Sequence, residues 1–124
     1  MTILNLFKSK NEAFLGKGVS EKEIKEAEKE LELSFSDDYR EYLLCVGLAM
    51  CDGHELTGIG NASRNNVVDV TKQMKSFHEG IPDDWYVLEN ENIDYSVVWQ
   101  DSKGNIYFNK KKKYSSLREF ISDI

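Results

Sequence analysis

Proline is almost missing from this sequence of 124 residues: Pro82 is the only one. Cysteine and histidine are scarce as well, with two of each, at Cys45, Cys51, His54 and His78. One proline leaves no room for a Pro-rich linker or a polyproline segment. The cysteines are six positions apart, so they form no C-x-x-C pair, and there is no second pair to complete a zinc site. Cys51, Asp52 and His54 are the one local cluster of metal-ligating types, and three ligands fall short of the roughly four that close a structural site. No metal and no cofactor are therefore expected. The catalytic signatures are missing too: no G-x-S-x-G, no Walker loop, no H-E-x-x-H and no dinucleotide fingerprint. Gly58-Ile59-Gly60 lacks the third glycine and the helix that would follow it. Cys51 and His54 form a nominal nucleophile and base, but a three-residue spacing in a glycine-bounded loop does not specify hydrogen-bond geometry. The simpler reading is a semi-buried thiol and a surface histidine. The sequence is not read as that of an enzyme.

Apolar runs are short. Met1 to Leu6 lacks the basic and cleavage features of a signal peptide. No stretch approaches the ~20 apolar residues of a membrane-spanning helix. Two thiols without an export signal point to a reducing cytoplasm. Positive charge is in deficit: 16 Lys and Arg stand against 22 Asp and Glu, a formal net charge of −6. That balance argues against binding nucleic acid, which needs clustered cations, and against anionic membrane surfaces. With 40% hydrophobic and 11% aromatic residues, the chain can bury a core, and its length fits one domain.

Periodicity and caps place the elements. Residues 1–18 have weak periodicity and read as an N-terminal segment that packs on the domain or frays. A helix is expected over Val19 to Leu33, with Ser20 and Glu23 forming a capping box and Ile24, Ala27 and Leu31 on its apolar face. The charge run on its other face reads as solvated. A second helix, Ser36 to Val46, carries Tyr39, Tyr42, Leu43 and Val46 on one side and stops at Gly47. This aromatic stripe reads as core. Gly53 to Gly60 reads as a short strand. A third helix follows over Val67 to His78, where a terminal histidine suits the helix dipole.

After the turn Ile81-Pro82-Asp83-Asp84 the period changes to 2. Strands are expected at Trp85 to Leu88, Tyr95 to Gln100 and Asn105 to Asn109, with Asp101 to Gly104 as a turn closed by a left-handed glycine. Lys110 to Lys113 is a basic run. Ser116 and Glu119 open a short C-terminal helix. The order predicts an α+β fold. About four or more strands form an antiparallel or mixed sheet, against which N-terminal, middle and C-terminal helices pack in a single domain over residues 19–124.

The charge is uneven along the chain. Residues 1–19 carry +2, 20–47 carry −5, 67–101 carry −6 and 102–124 carry +4. Between Lys75 and Lys103 there is no cation. Seven acids fall there, Glu79, Asp83, Asp84, Glu89, Glu91, Asp94 and Asp101, interleaved with Trp85, Tyr86, Tyr95 and Trp99. Aromatics among acids suit a site for a basic protein, with acids for steering and rings as anchors. The competing reading turns Trp85 and Trp99 into the core and leaves the acids to solvate loops. The candidate contact residues are Asp83, Asp84, Trp85, Glu89, Glu91, Asp94 and Tyr95.

Three phrases in this order resemble the SUKH superfamily of Smi/Knr-like domains. The first is Phe35-Ser36-Asp37-Asp38-Tyr39-Arg40-Glu41-Tyr42-Leu43, closing at Gly47, against an L-P-x-x-Y-x-x-x-L pattern. Here phenylalanine replaces the leucine and serine the proline. The others are Gly53-His54-Glu55-Leu56-Thr57-Gly58-Ile59-Gly60 and the Ile81-Pro82-Asp83-Asp84-Trp85 lead-in to the sheet. The resemblance covers about Val19 to Ile124. It implies a non-enzymatic protein that neutralises a cognate toxin of a polymorphic toxin system, often a nuclease, inside the producing cell; the acidic stretch adds the expectation of a basic toxin surface, and the oligomeric state, monomer or weak dimer, is left open. The alternative it implies is a regulatory or scaffold domain akin to regulators of cell-wall assembly. It carries over no catalytic or binding residues.

Overall fold

The structure is a computed structural model that describes residues 2–60, 65–90 and 97–124. Thr2 caps α1 (Ile3–Lys8) through its hydroxyl, which accepts from Asn5 N. Ile3 and Phe7 on its inner face are fully buried in the main core. The short helix thus gains its stability from packing; six residues alone would not hold a helix. β1 (Phe14–Leu15) follows. Ser20 caps α2 (Glu21–Leu31) with both halves of the capping box, Ser20 Oγ accepting from Glu23 N and the Glu23 carboxylate accepting from Ser20 N. Ser36 caps α3 (Asp37–Cys45), and Gly47 beyond it takes the left-handed conformation at φ 77°.

β2 (Ala49–Cys51) and β3 (His54–Glu55) form a hairpin with β1 on its outer side, giving a three-stranded antiparallel sheet. Asp52 and Gly53 both have positive φ, the backbone of a tight primed turn. The single strand expected over Gly53 to Gly60 is therefore shorter. Gly53 is consumed by the turn, and at Leu56 the chain changes partner and bridges to Glu89. Asn66 caps α4 (Val67–Phe77). β4 (Tyr86–Asn90), β5 (Val97–Gln100), β6 (Ile106–Phe108) and β7 (Lys111–Tyr114) then form an antiparallel meander in sequence order. In the turn after β5, Gly104 N donates to Asp101 O at 3.1 Å and Gly104 has φ 101°. The lysine run is the edge strand β7, with Lys111 to Lys113 all exposed. Ser116 caps α5 (Leu117–Asp123).

This α+β domain has two sheets rather than one. The meander is covered on both faces. Tyr86, Leu88, Val98 and Ile106 join residues of α1, α2, α3 and α5 in the main core. Val87, Val97, Trp85 and Trp99 pack with Val70 and Met74 of α4 in a second cluster. The aromatic stripe of α3 is core, as its spacing predicts, and its polar tips are satisfied. Tyr39 OH bonds Thr57 Oγ1 at 2.9 Å, Tyr42 OH donates to Thr57 O at 2.8 Å, and Thr57 Oγ1 donates to Val87 O at 2.7 Å. Burial pushes the Tyr39, Tyr42 and Tyr86 phenols up, so they stay protonated as donors.

One junction needs glycine. A Cβ on Gly58 would lie 1.8 Å from Gly47 O. Ile59 N donates to that same carbonyl at 3.2 Å. The glycine phrase is a close backbone crossing, not a phosphate cradle. Among the described residues no helix is long and apolar enough to cross a membrane.

Candidate functional site

The acids of the 79–101 stretch divide by what their neighbours demand. Asp101 is buried and organises its own turn. Its Oδ1 accepts from Lys103 N at 3.0 Å and Asn105 N at 2.9 Å, and its Oδ2 accepts from Asn105 Nδ2 at 3.1 Å and Tyr107 OH at 3.0 Å. Asp84 is half-buried, and its Oδ2 accepts from Ser102 N and Oγ, at 3.3 and 2.9 Å. Glu89 is 3% exposed. Its carboxylate lies 3.0 and 3.1 Å from His54 Nδ1 and accepts from Glu55 N at 3.2 Å. A bulge lies between Val87 and Glu89 in β4, and because both faces of the meander are covered, four successive residues from Tyr86 are buried.

The expected contact set changes accordingly. Glu89 does not project into solvent, because the bulge turns it inward onto His54. Trp85 is 8% exposed and stacks on Tyr107 with ring centroids 4.1 Å apart; it is a core residue, not an exposed anchor. Trp99 lies beside it, also buried. Asp83 is exposed, with Lys75 Nζ donating to its backbone carbonyl at 3.0 Å. Glu79 is exposed too, with Lys110 Nζ on its carbonyl at 2.9 Å. Glu91, Asp94 and Tyr95 lie outside the described residues.

Cys51 and His54 face each other across the β2–β3 hairpin. Cys51 is 1% exposed. Burial first, then Asp52, pushes its thiol up, which keeps it protonated at neutral pH. His54 Nδ1 is engaged with Glu89. Among the described residues no group of His, Cys, Asp and Glu is placed to hold a metal ion.

A second acidic surface was read in the sequence only as a solvated face. Between α2 and α4 runs an open groove of about 800 Å³. Ala27, Ile59 and Val68 supply its apolar part, and the carboxylates of Glu23, Glu26, Glu30, Glu32 and Asp69 stand around it. Lys72 on α4 reaches Glu30 on α2 at 2.9 Å, both well exposed. That contact lowers the Glu30 carboxyl and raises the Lys72 ammonium. Glu26, Glu32 and Asp69 form no salt bridge among the described residues. The opposite edge of α2 is occupied differently: Arg40 of α3 pairs with Glu21 at 3.2 Å and closely with Glu28, which also accepts from Phe35 N at 2.8 Å. A sequence signal existed. Glu23, Glu26 and Glu30 recur at i, i+3 and i+7, beside a parallel stripe of Lys22, Lys25 and Lys29.

Among the described residues the groove offers charged and apolar surface. The SUKH_5 family model, described as SMI1-KNR4 cell-wall, matches residues 2–124. No curated protein matches the chain. The match reaches past Val19 and takes in α1 and β1, the two elements that complete the core and the smaller sheet. The chain belongs to the SUKH family of Smi/Knr-like domains.

Proposed function

We propose that this SUKH domain acts by binding rather than by catalysis, as an immunity protein that masks a basic toxin domain, such as a nuclease, in the cytoplasm. The observation that carries this reading is the segregation of exposed charge. Carboxylates outnumber cations around the groove between α2 and α4, and Glu26, Glu32 and Asp69 there form no salt bridge among the described residues, while Lys111 to Lys113 stand exposed on β7. A field of one sign on one face steers a partner of the opposite sign and discriminates against others. Acids placed there compete with phosphate for the lysines and arginines of a nuclease. The proposed contact surface also includes Asp83, with Glu91, Asp94 and Tyr95 of the same stretch of chain. Trp85 and Glu89 leave the set because they are buried, and Asp84 because its carboxylate accepts from Ser102.

The second reading, a regulatory or scaffold domain, takes its support from the cell-wall description of the family. One experiment separates the two. The chain is co-expressed with the product of the neighbouring open reading frame, and growth and co-purification are measured. Immunity predicts that the neighbour alone stops growth, that the pair restores it, and that the two co-elute at low salt. A harmless neighbour that does not co-elute overturns it. Cys51→Ala should protect as well as the parent, since no thiol chemistry is involved.

A further inference from the structure

The partner's mode of docking is open to inference from the free surfaces. The edge strands β1 and β7 do not suit a basic partner. β1 pairs through two residues only, and β7 presents Lys111, Lys112 and Lys113, which repel a cationic strand and blunt the edge. The exposed acids Glu79 and Asp83 have Lys110 and Lys75 against their own backbone carbonyls. The α2–α4 groove differs in its shape and in its excess of carboxylates. It is bounded by two helices, which is the shape that accepts a third. Its charged residues among those described are Glu23, Glu26, Glu30, Glu32 and Asp69 against Lys29 and Lys72.

We propose that the groove between α2 and α4 holds a Lys/Arg-rich amphipathic helix of the partner protein, which sets apolar side chains on the half-buried Ile59 and Val68 and takes over Glu30 from Lys72. This rests on the reading of the chain as a binder of a basic protein, and adds the place and the shape of the contact. The apolar strip gives the helix one face to bury. Glu26, Glu32 and Asp69, which lack a salt bridge among the described residues, meet its cations. Lys72 stands where a partner cation would stand. Its bridge to Glu30 joins two side chains that are 54% and 62% exposed. Such a pair holds weakly in water, so an incoming lysine or arginine exchanges with it at little cost.

The test uses the full chain, isotope-labelled for NMR, and three synthetic peptides of equal length. One peptide carries leucines at i, i+3, i+4 and i+7 with lysine and arginine elsewhere. The second has the same composition in scrambled order, and the third replaces the cations with glutamate. The first should shift the amides of Ala27, Ile59, Val68, Asp69 and Lys72, with affinity falling as salt rises. The scrambled peptide should bind about tenfold more weakly and the acidic one not at all. Glu26→Lys with Asp69→Lys should weaken binding about tenfold, and Lys72→Ala should strengthen it about threefold, consistent with exposed ion pairs. Glu79→Lys, an exposed acid outside the groove, should leave peptide affinity unchanged. Unfolding curves show that each variant is folded. Equal binding of ordered and scrambled peptides, shifts confined to other surfaces, or no gain from Lys72→Ala overturns the groove. So does salt-sensitive self-association through β7, which makes a second copy the occupant. If the Glu26→Lys, Asp69→Lys chain still rescues growth against the neighbouring toxin, the groove fails while immunity stands. If the ordered peptide binds as expected and the neighbour is harmless, immunity fails while the groove stands.

Discussion

The chain has two acidic regions, and folding treats them in opposite ways. On α2, apart from Glu23 in the capping box, the carboxylates of Glu26, Glu30 and Glu32 stay exposed beside a groove. Between Glu79 and Asp101, three of the five described acids turn into structural acceptors: Asp84, Glu89 and Asp101. The difference follows from the backbone. A helix satisfies its own interior N–H groups, so its exposed side chains have nothing local to serve. Turns and bulges leave N–H groups without a ladder partner, and a neighbouring Asp or Glu supplies the acceptor. Charge counted along a chain becomes charge on a surface only where the backbone is already satisfied.

The contrast breaks most sharply at Glu89. Glu89→Ala removes a buried acceptor from Glu55 N and from His54, and should cost about 2–4 kcal/mol of folding stability in urea unfolding. A loss under about 0.5 kcal/mol would mean that its burial is not required. Asp101→Ala strips four hydrogen bonds from one turn and should cost about 2 kcal/mol. Near-ultraviolet circular dichroism should change with it, because Tyr107, which bonds Asp101, is stacked on Trp85.

A smaller effect is expected for Glu41, which lies between these extremes. Ile3 N donates to its carboxylate at 3.0 Å, and Arg118 pairs with it. The backbone hydrogen bond above all, then Arg118, holds it below the usual carboxylate range, against an opposing effect of burial. A depressed folded value means that the stabilisation is complete above the unfolded value of about 4.3. It is lost as pH falls from there through the folded value. Unfolding free energy measured from pH 6 down to 3 should therefore fall less steeply for Glu41→Gln than for the parent. Identical slopes would remove Glu41 from the acid response. The smallest effect belongs to α2: Glu26→Lys should change stability by no more than about 0.5 kcal/mol, while altering affinity for a basic ligand. A large destabilisation there would erase the distinction between the two regions.

What the sequence made legible was local. Ser20, Ser36 and Ser116 announce helix starts because a cap is satisfied within three residues. The Asp101 to Gly104 turn and the buried stripe of α3 were readable for the same reason. β7 was read as a basic run because its pairing comes from backbone groups and leaves no apolar alternation in Lys111 to Lys113. The six residues of α1 carry too little periodicity to declare a helix without the core they pack on. Glu89 was misplaced because its partner His54 is 35 positions away. The groove was overlooked because its second wall is α4, although one wall was written in the spacing of Glu23, Glu26 and Glu30.

Both tryptophans lie on the α4 side of the meander, their ring centroids 6.1 Å apart. Excited at the indole band, the molecule therefore reports from one half only. A ligand that nudges α4 should change the emission. Events at the β1–β2–β3 sheet, none of whose residues belongs to the tryptophan cluster, should change it less. The pairing thus makes the native chain, without any label, a one-sided optical sensor whose live face is the helix that walls the groove.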